Sequence, residues 1–215
     1  MPVAATTFAA MKNLFGQRFQ GATEGIVDST LAWALAEFLT HSTVWRVDGS
    51  TTLVDGQRDY PLAAISAFPD AVPHMLLGCA YATGQPLTLV PSVHLAPDRI
   101  GRPSQAVLAG GSVLRVWPTP GPGDVGVVLR ARVALVTDPG TIPNTIPADV
   151  LPFMAIVQMF AESEFLSMRG RPWSDKPQAD LRLRRAKHGA LAAKAVADGG
   201  RGKRTHVQVP PRSGM

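Results

Sequence analysis

The sequence has little cysteine, little charge and no long apolar run. Its one cysteine, Cys79, has no partner for an intrachain disulfide, so the fold does not rely on an oxidising compartment. Within Met75-Leu76-Leu77-Gly78-Cys79-Ala80-Tyr81-Ala82 that thiol reads as a small buried hydrophobe, not a nucleophile. Charged residues make up 17% against 46% hydrophobic. That balance excludes a disordered chain and leaves apolar surface for neighbouring subunits to cover. No stretch of 18 apolar residues occurs, so no membrane span and no membrane partner are expected. The first 19 residues lack a charged segment ahead of a long apolar one, so they do not read as a secretory signal. A soluble protein made in a cytoplasm is the expectation.

The residue patterns of catalysis are missing too. Gly121-Pro122-Gly123 lacks the Lys-Ser/Thr of a phosphate loop. His41, His74, His94, His188 and His206 fall in five separate segments, which argues against a zinc site. Ser104, Ser112 and Ser163 have no nucleophile-elbow context. Glu162 and Glu164 are two apart on a helix and point to different sides, so they read as solvent or interface residues. No catalytic residue, no metal and no cofactor are expected.

Nineteen prolines and 20 glycines are present, which implies many turns. Charge is unevenly spread. Residues 1–168 hold nine Lys/Arg and 13 Asp/Glu, a balance of −4, and residues 169–215 hold 12 and three, a balance of +9. A mildly acidic body therefore carries a basic arm, which favours nucleic acid or an acidic protein surface. The four tryptophans, Trp33, Trp45, Trp117 and Trp173, read as packing residues in helix, strand and helix junction before they read as base-stacking ones.

Periodicity sets the order of elements. Residues 1–22 read as a loosely held arm, with a short helix at most. Ile26, Val27, Leu31, Ala34, Leu35, Phe38 and Leu39 give one apolar stripe, so the spacing predicts a helix over 23–40, with Thr23, Glu24 and Asp28 at its positive end. Strands are then expected at 43–47, 51–54, 58–62, 74–82, 87–90, 112–117 and 125–137, with Asp48-Gly49-Ser50 and Asp55-Gly56 as turns. Proline-rich breaks at this spacing suit an antiparallel sheet or small sandwich. A helix follows over 148–168, with Val150, Leu151, Met154, Val157, Phe160 and Phe165 at helical spacing, and Leu151, Met154, Val157 and Phe165 are expected in the core. Pro147 and Pro152 fall where a helix start tolerates them. A last helix spans 177–198 with Ser174 as its N-cap, and Gly199-Gly200 stops it.

The fold class is therefore α+β. A helical core of residues 23–42 and 148–198 carries an inserted antiparallel β-rich lobe at 43–147. An N-terminal arm at 1–22 and an extended basic tail at 199–215 flank it. Arg182, Arg184, Arg185 and Lys187 lie on the last helix. They read either as the solvated face of an amphipathic helix or as a phosphate-contacting surface. The tail holds Arg201, Lys203, Arg204 and Arg212 with no acid, and Val207, Val209 and Pro210-Pro211 make its end extended. Such a segment suits addition to a sheet edge or a groove of a partner.

Four features in this order resemble the head-to-tail adaptor, or tail tubular and connector, proteins of tailed bacteriophages. The first is the initial helix followed by Trp45-Arg46-Val47 and the Tyr60-Pro61-Leu62 strand. The second is Leu114-Arg115-Val116-Trp117-Pro118-Thr119-Pro120. The third is the entry Ile142-Pro143-Asn144-Thr145-Ile146-Pro147-Ala148-Asp149 into the penultimate helix. The fourth is the Trp173 break before a basic last helix and tail. The resemblance covers about residues 23–198, and the apolar, proline-rich stretch 69–111 departs from it. It implies a non-enzymatic virion protein of the neck, assembled in the host cytoplasm as a ring of about twelve subunits. That ring would dock below the portal protein, surround passing genomic DNA without reading its sequence, and receive a downstream tail or nozzle protein. Arg201, Lys203, Arg204, Val207, Val209 and Arg212 would then dock on the portal, and Arg182, Arg184, Arg185 and Lys187 would line the channel. The competing reading is a nucleic-acid-binding protein that grips phosphates with its basic C-terminal arm.

Overall fold

A computed structural model describes residues 6–16, 22–62, 70–91, 99–138, 141–143 and 145–199. The order of elements is β1 (Thr6–Thr7), α1 (Phe8–Gly16), α2 (Glu24–Ser42), β2 (Arg46–Thr52), β3 (Asp59–Pro61), β4 (Ala71–Tyr81), β5 (Thr88–Leu89), β6 (Gln105–Ala109), β7 (Val113–Trp117), β8 (Val128–Thr137), β9 (Thr145–Ile146), α3 (Met154–Ser167) and α4 (Lys176–Gly199). The fold is α+β, as the switch in apolar period required.

Helices α2, α3 and α4 pack against one another, and α2 also lies on β8. The α2 stripe supplies Leu31, Leu35, Phe38 and Leu39, all essentially inaccessible to solvent. On β8, Leu129, Ala131, Val133 and Leu135 are buried at every second position, the period of a strand with one face inward. These residues belong to one apolar cluster that also takes in Leu53, Leu114 and Val116.

Ahead of α3 the chain makes a 3-10 helix over Ala148–Phe153, with Pro152 inside it. Together, Ala148–Ser167 are long and apolar enough to cross a membrane by length and composition, with mean hydropathy 1.3. In this fold α3 packs against both α2 and α4. Val157, Phe160 and Phe165 are buried on it, but Leu151 and Met154 are only half-buried, contrary to expectation. The shift follows from the 3-10 start, whose tighter winding turns Val150 inward instead of Leu151.

Three sheets form. β1 pairs with β9, the order β2-β8-β4 makes a three-stranded sheet, and β3-β7-β6-β5 makes a four-stranded one. All pairs are antiparallel except β5 with β6. Asp48-Gly49-Ser50 is not a turn. It lies inside β2, where Asp48 faces Arg132 and Gly49 faces Ala131 across the register with β8. The Arg132 guanidinium grips Asp48 through Nε at 2.6 Å and Nη2 at 3.2 Å. Pairing of all seven β2 residues with β8, with this ion pair across the ladder, places the segment in the sheet despite its turn composition. Strand β6 has no counterpart among the expected strands, because Gln-Ala-Val-Leu-Ala does not alternate. It is held between β5 and β7 by the hairpin at Gly110 and Gly111, both at positive φ (53° and 88°).

The N-terminal segment is not a loose arm over its described part. Phe8, Met11 and Phe15 bury one face of α1 in the core. Lys12 ties α1 to the start of α2 through Glu24 and through Asp28 at 3.0 Å.

Tyr60 shows how a single side chain fixes the β2–β3 connection. It is 2% exposed. Its hydroxyl donates to the Gln57 carbonyl at 2.6 Å and accepts from the Val54 N–H at 3.1 Å. Tyr60→Phe leaves both turn groups without that partner and is expected to cost about 1–3 kcal/mol, read as a lower denaturant midpoint at unchanged slope. No change in midpoint would show that water replaces the hydroxyl.

Asp59 and Arg115 face each other across β3 and β7 and form a second bidentate pair, at 2.6 and 2.9 Å. The hydrogen bond from Arg115 holds the Asp59 carboxyl below its ordinary value. A depressed folded-state value means that this stability is present above the unfolded-state value near 4 and is lost as pH falls through the folded one. The pair is well exposed to solvent, so its contribution is at most about 1 kcal/mol. Asp59→Asn should therefore lower the thermal midpoint slightly at pH 7, and the difference from wild type should vanish well below pH 4.

Candidate functional site

Six of the chain's 21 Lys/Arg lie on α4, and the sequence explains why that helix forms and how it lies. Asp175, not Ser174, caps its start: the Asp175 carboxylate accepts from the Gln178 N–H at 3.1 Å. Asp175 suits the cap because its own N–H is already bonded to the Leu166 carbonyl at 2.9 Å, which folds the α3–α4 connection. Trp173 in that connection stacks on Phe165 with ring centres 4.7 Å apart. The inward stripe of α4 is Ala179, Ala186, Ala190 and Ala193. Small residues let α4 approach α3 closely. At Gly189 an added Cβ would lie 3.0 to 3.2 Å from the Ile156 side chain.

The outward face of α4 is basic and apolar together. Leu181, Leu191 and Val196 are exposed at 42%, 57% and 64%, and Arg184, Arg185 and Lys187 are exposed among them. Arg182 differs from these three. It turns toward α3, where its Nε is 3.2 Å from Glu162 Oε2. Glu162 is buried, not a solvent or interface residue as its spacing suggested, and its Oε1 accepts from Gln158 at 3.0 Å. Arg182 thus offsets a buried carboxylate, while the other three present their charge to solvent. Arg201, Lys203, Arg204, Val207, Val209 and Arg212 lie outside the described residues.

Sequence reasoning missed one contributor. Arg46, the first residue of β2, reaches the far end of α4 and bonds to Asp198 at 2.6 Å. The two positions are 152 apart, so no local pattern could join them.

The chemistry elsewhere is sparse. A cavity of about 640 Å³ lies on the face of the β2-β8-β4 sheet over Gly49, Gly78, Arg130 and the Asp48–Arg132 pair. It is a trough floored by small residues. Among the described residues no group of three His, Cys, Asp or Glu could hold a metal ion. Burial pushes the Cys79 thiol up to about 11, so it stays protonated at neutral pH. Trp33 meets Phe160 edge-on at 6.4 Å, and His41 stacks on the same ring at 6.0 Å. These aromatics pack the helices.

The exposed basic and apolar side chains of α4 together suit contact with another surface. The family model described as SU10 adaptor protein matches residues 6–212. No curated protein matches the chain.

Proposed function

Because this chain belongs to the SU10 adaptor protein family, a family of phage head-to-tail adaptors, we propose that it is the structural subunit of a ring. That ring sits below the portal, extends the DNA channel and receives the next tail protein. The observation that carries this reading is the family match across residues 6–212. About twelve copies close the ring, the number the resemblance implies.

The geometry supports a division of labour on α4. Its inward alanines bind α3, and its outward Leu181, Leu191 and Val196 remain for a neighbour to cover. Arg184, Arg185 and Lys187 are available to passing phosphates, which they hold without reading bases. Arg182 is committed to Glu162, so it contributes to the channel through its field more than through contact. The tail residues Arg201, Lys203, Arg204, Val207, Val209 and Arg212 dock on the portal, with charge guiding the encounter. Attachment should therefore weaken as salt rises from 50 to 500 mM, because screening shortens the reach of exposed charges to a few Å. An attachment rate independent of salt would remove charge from the docking step.

The test is omission. A phage unable to make this chain should accumulate filled heads that neither retain DNA nor join tails, and supplying the protein in trans should restore both. Heads that acquire tails without it would contradict the reading. The nucleic-acid-binding alternative makes a different forecast: tight, salt-sensitive binding of DNA by isolated monomers.

A further inference from the structure

We propose that Arg46 is the positioning residue that fixes the point from which the C-terminal tail leaves the body. The proposal rests on the reading of that tail as a portal-docking segment.

One planar guanidinium holds three acceptors. Arg46 Nε donates to the Thr43 carbonyl at 2.7 Å, Nη1 to the Ala197 carbonyl at 3.3 Å and Nη2 to Asp198 Oδ1 at 2.6 Å. The side chain is 9% exposed. Thr43 is itself fixed: it caps α2 in the left-handed region, φ 47°, and its N–H bonds to the Leu39 carbonyl at 2.9 Å. Arg46 also pairs with Ala134 on the central strand β8. The fork therefore fastens the end of α4 to the end of α2 and to the three-stranded sheet at once.

The last carbonyls of a helix have no partner within it. Arg46 takes one of these on α4 and sets a positive charge at the helix's negative end. Ala197 packs against the apolar core, and Val44, Phe153 and Val196 line a small cavity of about 200 Å³ beside it. Asp198 is one residue before the end of α4 at Gly199. The tail thus starts next to a helix end held by side-chain hydrogen bonds. A lysine could not replace this arrangement, since a point charge cannot satisfy three separated acceptors in one plane.

A tail that starts from a fixed point meets its docking surface at a higher effective concentration and loses less freedom on binding. If Arg46 is removed, the last turn of α4 frays. That turn must then reorder each time the tail docks, and attachment should weaken about tenfold.

The experiment uses the full-length protein with Arg46→Ala, Arg46→Lys or Asp198→Ala, and a chain ending at Gly199 as reference. Two quantities are read: amide hydrogen exchange along α4, and attachment to heads assembled without this protein. In Arg46→Ala, exchange should rise at 195–199 and stay slow at 179–190, ring formation should persist, and attachment should fall about tenfold. Arg46→Lys should restore little of it. Asp198 is a 55%-exposed partner, so Asp198→Ala will fold even if Arg46→Ala does not; it should show the same changes to a smaller degree. Unchanged exchange at 195–199 in both Arg46→Ala and Asp198→Ala overturns the proposal, since the fork would then not hold the helix end. A frayed end with wild-type attachment also overturns it. If the chain ending at Gly199 attaches normally, the docking reading of the tail fails first, and the role of Arg46 fails with it.

Discussion

Removing residues 199–215 should abolish attachment to DNA-filled heads while leaving the body folded. The apolar cluster of the described residues ends at Ala197, so the truncated chain keeps every core side chain named above. The deleted segment carries Arg201, Lys203, Arg204 and Arg212 with no acidic residue. Each charge-assisted hydrogen bond on a partner contributes about 1.5–3 kcal/mol, so losing two of them weakens attachment by roughly a hundredfold to ten-thousandfold. The readout is the fraction of heads that retain DNA and join tails when the truncated protein is added, alongside its thermal midpoint. Retained folding with leaking heads is the expected result. Truncated protein that joins heads at normal efficiency would reduce the tail to a solubilising appendage. The bare body would also leave the phosphate-gripping alternative without its basic arm.

The largest stability loss should come from Val157→Asp. Val157 is fully buried on α3, in the apolar cluster shared with α2 and α4. An aspartate there either buries an unpaired charge or stays protonated, and either outcome costs about 3 kcal/mol or more. Against a total stability of roughly 5–15 kcal/mol, that is enough to unfold much of the population at 37 °C. Leu151→Asp should cost clearly less, because Leu151 is half-buried on the 3-10 turn and can face water. Leu191→Gln, at a 57%-exposed position, should change stability by less than about 0.5 kcal/mol. Equilibrium urea unfolding of the three variants ranks them. Equal midpoints for Val157→Asp and Leu191→Gln would mean that α3 does not form the packed layer described.

Several of these features were legible in the chain because they are local. The α2 stripe of Leu31, Leu35, Phe38 and Leu39 repeats at helical spacing, and the expected helix at 23–40 stands within two residues of Glu24–Ser42. The last helix was legible for the same reason, stopped by Gly199. What stayed hidden depends on partners far away in sequence. Asp-Gly-Ser at 48–50 has the composition of a turn, and its pairing with the distant β8 makes it a strand. Strand β6 lacks alternation and exists because β5 and β7 flank it. Phe8, Met11 and Phe15 do recur at helical steps, yet α1 spans only nine residues, too short a window to separate a docked helix from a loose arm. At the candidate site, the basic character of α4 could be read directly. The separation of Arg182 from Arg184, Arg185 and Lys187 could not, since it needs the position of Glu162 on α3. The Arg46 fork was equally invisible, although Arg46 lies in the Trp45-Arg46-Val47 strand that carried part of the family resemblance.

The most direct measurement of the central claim is an image of the neck: electron microscopy of particles, and of the purified protein mixed with isolated portal. The account predicts a closed ring of this chain immediately below the portal, with α4 at the subunit contacts or lining the lumen and the C-terminal segment ordered against portal density. A protein that stays monomeric in the presence of portal, or that is absent from the neck of intact virions, would contradict it.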